Sequence, residues 1–233
     1  MTEDLSKFNA AQAALEYVKD GMVVGLGTGS TSAHFVRQLG ARVRQGLRVK
    51  GVPTSEATRN LAEQVGVPLL EISQVTSLDL DVDGADEVDS AFRLIKGGGG
   101  ALLREKIVAA ASKRMVVIAD DSKWVETLGA FPLPVEVTRF GFALTQTRVV
   151  EALRETGCAG DEVVLRITGK SNEPVITDGG NYILDAHAKR IPNPEALAAA
   201  LKNIAGVVEH GLFIGLSQVV ILGKAKGAEV KHL

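Results

Sequence analysis

Strand-length apolar runs alternate with stretches of helical periodicity through residues 1–130, and this alternation limits the fold more than any other feature of the chain. Leu5, Phe8, Leu15 and Val18 recur at helical spacing, and Gly21 follows as a helix-ending glycine. Residues 22–26 read as a strand, 33–39 as a helix and 47–52 as a strand, with Thr54 or Ser55 capping a helix through Val65. Further strands are expected at 67–72, 78–83, 92–95 and 115–119, with a helix over 101–111. Strands and helices in alternation imply a mostly parallel sheet covered by helices. The expected class is α/β, with a Rossmann-like sheet domain.

The pattern changes after Phe131-Pro132-Leu133-Pro134. A helix at 142–156, a strand at 163–167, a hairpin pairing 175–176 with 182–185 around Asp178-Gly179-Gly180, and a helix at 194–204 describe an α+β insert. The predicted organisation is a Rossmann-like catalytic domain of residues 1–130 and 207–233, with a smaller α+β, ferredoxin-like domain at 131–206. The tail strands at 207–213, 219–222 and 229–231 are expected to return to the first sheet.

Composition excludes several functions. With 45% hydrophobic and 23% charged residues, 233 residues can bury a substantial core. A net charge of −2 argues against a nucleic-acid surface, which needs a concentrated positive field. The single cysteine, Cys158, rules out an internal disulfide and a thiolate zinc cluster and fits a reducing compartment. His34, His187, His210 and His232 lack metal-ligand spacing, so no metal is expected. No apolar run approaches the length of a membrane span, and the N-terminus lacks the pattern of a signal peptide. A cytoplasmic location is expected, with no membrane partner.

Two stretches carry the chemistry. The first is Gly25-Leu26-Gly27-Thr28-Gly29-Ser30-Thr31, a strand, a glycine turn and the start of a helix, which directs free N–H groups and a positive helix end at an anion. A dinucleotide fingerprint fails because serine occupies the third glycine position in either register, and no Gly-Lys-Ser/Thr follows for a Walker loop. Thr28, Ser30 and Thr31 instead suit a compact terminal phosphate. The second is LDLDVDGADEVDSAFRLIKGGGGALLREK at residues 78–106. It sets Asp83 and Asp86 at a strand's C-terminal end, where ligand chemistry collects in open α/β sheets. Lys96 leads into Gly97, Gly98, Gly99 and Gly100, and Glu105 lies near the start of the next helix. Asp79, Asp81, Asp83 and Gly84 match the opening of a calcium loop, but Ser90 stands where that loop needs a bidentate glutamate. Lys123, just past another strand's end, is a candidate phosphate ligand.

Taken together, GTGST at 27–31, DGADE at 83–87, KGGGGALLREK at 96–106 and FPLPVEV at 131–137 resemble the type A ribose-5-phosphate isomerases. The resemblance runs from Lys7 to the C-terminal region. It implies interconversion of ribose 5-phosphate and ribulose 5-phosphate in the pentose phosphate pathway, without a metal or other cofactor, by a homodimer or larger homo-oligomer. It implies that Glu105 is the proton-abstracting base. Substrate contacts would fall on Thr28, Gly29, Ser30, Thr31, Asp83, Gly84, Ala85, Asp86, Lys96, Gly97, Gly98, Gly99 and Lys123. Asp79 and Asp81 make this strand more acidic than the family's pattern.

Isomerisation of this kind removes a carbon-bound proton, stabilises a cis-enediolate and returns the proton to the neighbouring carbon. One carboxylate, Glu105, can do both transfers. Lys96 and the glycine N–H groups would stabilise the oxyanion, and Asp83, with Asp86, would move protons between O1 and O2. Lys7 joins the phosphate anchors. Two other readings fit a sugar-phosphate site: an amino-sugar-phosphate deaminase, and a non-catalytic sensor of the kind found in transcription regulators. For the sensor a helix-turn-helix is not expected, since only one helix is read before the first strand.

Overall fold

The computed structural model describes residues 2–169 and 172–233, with side chains from residue 4 onward. The first half contains α1 (Thr2–Ala14), β1 (Val23–Leu26), α2 (Ser30–Arg44), β2 (Lys50–Pro53), α3 (Glu56–Val65), β3 (Leu80–Gly84), β4 (Glu87–Val88), β5 (Leu94–Ile95), α4 (Leu102–Ala111) and β6 (Met115–Asp120). The second half contains β7 (Leu133–Val137), α5 (Phe142–Glu155), β8 (Glu162–Leu165), β9 (Tyr182–His187), α6 (Pro194–Lys202), β10 (Val207–His210), β11 (Leu212–Phe213), β12 (Ser217–Lys224) and β13 (Gly227–His232). Two compact units result: Met1–Ala85, Arg104–Trp124 and Gly215–Leu233 form one, and Asp86–Leu103 with Val125–Ile214 form the other. Among the described residues no helix is long and apolar enough to cross a membrane.

The first unit is built on a six-stranded sheet in the order β13-β12-β6-β3-β1-β2, parallel except for the edge strand β13. Alternate residues explain its layering. Val24, Leu26, Leu80, Val82, Val116, Ile118, Val219 and Ile221 share a buried cluster with Phe35, Val36 and Leu39 of α2 and Ala10, Ala11 and Ala14 of α1. On the opposite parity, Gly25 lies close to Asp81 and to Val108 of α4: an added Cβ would come within 2.5 Å of each. Both faces are therefore covered; β6 and the middle of β12 read as apolar runs, whereas β3 alternates leucine and valine with aspartate. The chain leaves β1 for β2 on one side and reaches β3 on the other, so the strand order reverses at β1. The C-terminal ends of β1 and β3 flank this switch point, the place where open sheets bind ligands.

Several expectations in this unit need correction. In α1 the buried face is Ser6, Ala10, Ala11 and Ala14, whereas Leu5 and Phe8 are 46% and 40% exposed. The helix lies so near β12 that a Cβ on Gly223 would come 2.7 Å from the Ser6 carbonyl carbon and 3.0 Å from Ala10 Cβ, so small residues form the contact. A 3₁₀ turn, Leu15–Tyr17, ends the helix with Val18 already extended, and Gly21 lies beyond it. Residues 67–72 do not form a strand; Leu69 makes a single bridge to Gly51 before the 3₁₀ turn Ile72–Gln74. Helix α2 is longer than expected, starting at Ser30.

The second unit contains a four-stranded antiparallel sheet in the order β10-β7-β9-β8. With α5 and α6 this is the βαββαβ, ferredoxin-like arrangement. Leu133, Val135, Val137, Leu184 and Ala186 pack against Val149, Leu153, Leu197 and Leu201 of the two helices. Residues of the other parity, Pro134, Glu136, Ile183 and Asp185, occupy the opposite face. The predicted hairpin strand at 175–176 is absent; Pro174 makes one bridge to Ile167, and β9 pairs with β7 and β8. Phe92 has φ of +57°, which delays the strand predicted at 92–95 until Leu94. The tail divides. β10 pairs with β7, and β11 joins β5 and β4 in a three-stranded antiparallel sheet, so only β12 and β13 return to the first sheet. The division falls at Gly211, where an added Cβ would sit 2.9 Å from Pro134 Cδ.

Candidate active site

In the first unit, the turn after β1 is fastened to the end of β3. A Cβ on Gly27 would fall 2.6 Å from Asp83 Cα, so only glycine lets the two strand ends approach this closely. Asp83 is fully buried. Its Oδ1 accepts hydrogen bonds from the Thr28 N–H (3.1 Å), the Gly84 N–H (2.7 Å) and the Ser32 hydroxyl (3.3 Å). One carboxylate oxygen thus holds the glycine turn, its own strand end and the first turn of α2.

The Thr28 hydroxyl enters a group of hydroxyls from the β2–α3 connection. It donates to Ser55 Oγ at 2.9 Å, Ser55 donates to Thr58 Oγ1 at 3.1 Å, and Thr58 donates to the Gly27 carbonyl at 3.0 Å. Thr54 Oγ1 lies 2.7 Å from Thr28 Oγ1 and donates to the Leu26 carbonyl at 3.0 Å. Ser55 also caps α3 by accepting the Thr58 N–H at 3.1 Å. Hydroxyls in series polarise one another, and here the series closes on the turn's own backbone. The N-terminus of α2 follows, with Gly29 as its N-cap, Gly29 and Ser30 exposed and Thr31 half-buried. Its first-turn N–H groups and the helix dipole favour an anion there.

The other sequence-predicted residues of this unit occupy distinct elements. Glu105 is 3% exposed in the first turn of α4. Its neighbour Arg104 pairs with Glu56 at 2.7 Å. Lys7 is half-buried on α1, and Lys123 is half-buried at the end of a 3₁₀ turn, Asp121–Lys123, that follows β6. Ala85 is half-buried at the unit's edge in sequence. The acidic run that imitates a calcium loop is strand instead. Asp79 accepts the Val23 N–H at 3.0 Å and pairs with Lys113 at 2.8 Å, while Asp81 is wholly buried in β3. The Lys113 ammonium, and then the Val23 N–H, hold the Asp79 carboxyl below its usual range. Among the described residues no group of three or more His, Cys, Asp or Glu side chains could hold a metal ion.

In the second unit, Asp86, Lys96 and the glycine loop form one assembly. The Asp86 N–H donates to the Ile95 carbonyl at 2.8 Å, and its Oδ2 accepts the Gly98 N–H at 2.8 Å. Lys96 is 2% exposed, donates its N–H to the Gly211 carbonyl at 2.9 Å, and sets Nζ 5.5 Å from the Phe213 ring centroid. Gly97 has φ of +105° and lies against β7: an added Cβ would sit 3.2 Å from Pro134 and 3.0 Å from Leu102. Glu87 supports the segment by accepting the N–H groups of Gly129 (2.7 Å) and Phe131 (2.6 Å).

Two groups escaped the sequence reading. Thr54 and Ser55 stood out only as helix caps, although three hydroxyls within five residues after a strand were a usable signal together with Thr58. Arg166 Nη1 donates to the carbonyls of Gly97 (2.9 Å) and Gly98 (3.2 Å), yet lies 69 residues from Gly97 with no local motif.

A parallel sheet covered on both faces, with a glycine and hydroxyl turn and a buried aspartate at its switch point, defines the class: an α/β protein built for a phosphate-bearing ligand. The chain belongs to the ribose 5-phosphate isomerase A family. Residues 50–227 match the family described as ribose 5-phosphate isomerase A (phosphoriboisomerase A). The ribose-5-phosphate isomerase A of Afipia carboxidovorans is 60% identical over 230 residues, covering 99% of this chain and 97% of that protein. The solved ribose 5-phosphate isomerase A of Methanocaldococcus jannaschii is 42% identical, covers 98% of both chains and superposes with a TM-score of 0.89. A D-ribose-5-phosphate isomerase solved in complex with phospho-erythronic acid is 37% identical over the whole of both chains, with a TM-score of 0.90. The expected α/β class with a ferredoxin-like part agrees with the architecture and with these relatives.

Proposed function

We propose that this protein interconverts D-ribose 5-phosphate and D-ribulose 5-phosphate through a cis-enediolate. Glu105 is the observation that carries the chemistry: a carboxylate 3% exposed, in the first turn of a helix, directly after the Lys96 and glycine segment in the chain. Burial shields a base from water, and a single carboxylate can take the proton from C2 and deliver it to C1. Lys96 and the loop N–H groups stabilise the oxygen that gains negative charge. Asp83, with Asp86, passes protons between O1 and O2 and assists opening of the furanose ring. The first turn of α2, with Gly29, Ser30 and Thr31, takes the phosphate, and Lys7 and Lys123 add positive charge. Phosphate binding far from the bond changes still aids the reaction, because it holds the reacting carbons in register.

Conversion of ribose 5-phosphate by purified protein in EDTA tests the reading, with phospho-erythronic acid as a competitor. Metal-independent turnover, inhibited competitively, is the expected result. Absence of turnover by folded protein, or ammonia release from an amino-sugar phosphate, would overturn it.

The proposal extends to a homodimer or larger assembly in the cytoplasm. Phe140 and Leu144, 95% and 78% exposed, support association because isolated chains seldom leave two such neighbours in water. The lone half-buried Cys158 supports a reducing compartment.

A further inference from the structure

We propose that Arg166 is a positioning residue for this reaction: held by Asp185, its guanidinium fixes the carbonyls of Gly97 and Gly98 and so aims the N–H groups of Gly98 and Gly99. The inference rests on the reading of that loop as the oxyanion site.

Strand register brings the pair together. Asp185 on β9 faces Val164 on β8, and Arg166 lies two residues beyond Val164, on the same side of the sheet. The pairing is bidentate, Nε to Oδ2 at 2.8 Å and Nη2 to Oδ1 at 2.5 Å, with the side chains 15% and 17% exposed. That leaves Nη1, which donates to the carbonyls of Gly97 at 2.9 Å and Gly98 at 3.2 Å. In a planar trans peptide the carbonyl and the following N–H point in opposite directions. Fixing the carbonyls of Gly97 and Gly98 therefore turns the N–H groups of Gly98 and Gly99 away from Arg166. Asp86 Oδ2 accepts the first of these at 2.8 Å, so a cation holds the loop on one side and a carboxylate on the other, and the Gly99 N–H is the donor this clamp aims at developing charge.

The clamp answers a need created by the sequence. Four consecutive glycines carry the largest backbone entropy of any run, and no side chain of their own can hold them in place. A carbonyl bonded to guanidinium also makes its amide N–H a stronger donor, which favours developing negative charge. Lysine cannot substitute, because its ammonium lacks the planar fork that meets Asp185 and the loop together.

Two readouts test the clamp. Arg166→Met, Arg166→Lys and Asp185→Asn are assayed for kcat and KM with ribose 5-phosphate, and their glycine amides are followed by ¹⁵N NMR beside wild type. Arg166→Met is expected to lower kcat by roughly 10- to 100-fold through misplacement of the donors, with KM little changed because the phosphate anchors are intact. Arg166→Lys does not restore kcat, and Arg166→Met/Asp185→Asn is no slower than Arg166→Met alone, since Asp185 acts through the arginine. The amide signals of Gly98 and Gly99 move in each variant. Folded Arg166→Met with wild-type kcat, or with unmoved Gly98 and Gly99 signals, would overturn the clamp. Should Arg166→Met fail to fold, Asp185→Asn keeps the side-chain volume and is judged by the same readouts. Inactive wild type with shifted glycine signals in the variants sinks the isomerase reading and leaves the clamp geometry standing.

Discussion

Glu105→Gln preserves the volume of a side chain that is 3% exposed, so the variant is expected to fold and bind substrate. Losing the base should slow turnover by roughly two to four orders of magnitude, read from kcat with ribose 5-phosphate. A near-normal rate would reassign the base. Asp83 separates two duties. Asp83→Asn keeps an acceptor for the N–H groups of Thr28 and Gly84, so the turn survives and kcat falls with KM little changed. Asp83→Ala removes that acceptor and should also raise KM, because the glycine turn proposed to hold phosphate loosens. Equal KM in the two variants would show that the hydrogen bonds do not hold the turn. Asp83 and Lys96 stood out in the sequence as charges beside glycine at strand ends, and Glu105 as an acid in the helix that follows, with its role implied by the family resemblance. Arg166 did not, since an arginine just past the end of an ordinary strand acquires meaning only from cross-strand register.

Helix α3 is anchored to the glycine turn after β1 through hydroxyls, and the consequence belongs to the element. Thr58→Val keeps the shape but removes the donor to the Gly27 carbonyl. Leaving that buried acceptor unsatisfied should cost about 1–3 kcal/mol in urea unfolding and raise KM for the phosphate substrate, with Thr58→Ser restoring both. Unchanged stability would mean another donor takes over. The β12–β13 hairpin makes a pH prediction. Lys224 first, then Lys231, lower the Glu229 carboxyl from 4.5 to about 2. A carboxylate lowered in this way supports the fold above 4.5 and loses that support as the pH falls toward about 2. The effect on stability is small because both partners meet solvent, and NMR titration of Glu229 gives the midpoint directly. At this scale the sequence misled most in α1, where Leu5 and Phe8 marked a false face because alanines make the closest contact with a sheet.

The whole molecule was legible as a class, since alternating strands and helices admit few arrangements, but the βαββαβ order was only partly apparent: both helices and the strands β8 and β9 were read, whereas β7 was not and β10 was expected in the first sheet. Pairings between very short strands were not legible. Nothing in Leu94–Ile95 or Leu212–Phe213 announces a partner more than a hundred residues away, and the bulge between Val207 and Glu209 that bends the tail leaves no compositional trace. Association also belongs to this scale. Phe140 and Leu144 border a groove of about 760 Å³ that also includes Ile204 and Ala205. Phe140→Asp is expected to shift sedimentation from dimer or larger to monomer; a wild type that sediments as a monomer would remove the assembly.

The chain passes between its two units four times, at residues 85/86, 103/104, 124/125 and 214/215, and begins and ends in the same one. Recombination between relatives therefore meets an obstacle. Any single crossover gives the first unit two parents, wherever the breakpoint falls. Transplanting the second unit whole requires residues 86–103 and 125–214 to travel together across an intervening stretch that must stay behind. Lineages of this fold are thus expected to diverge by point substitution, with the two units inherited as one.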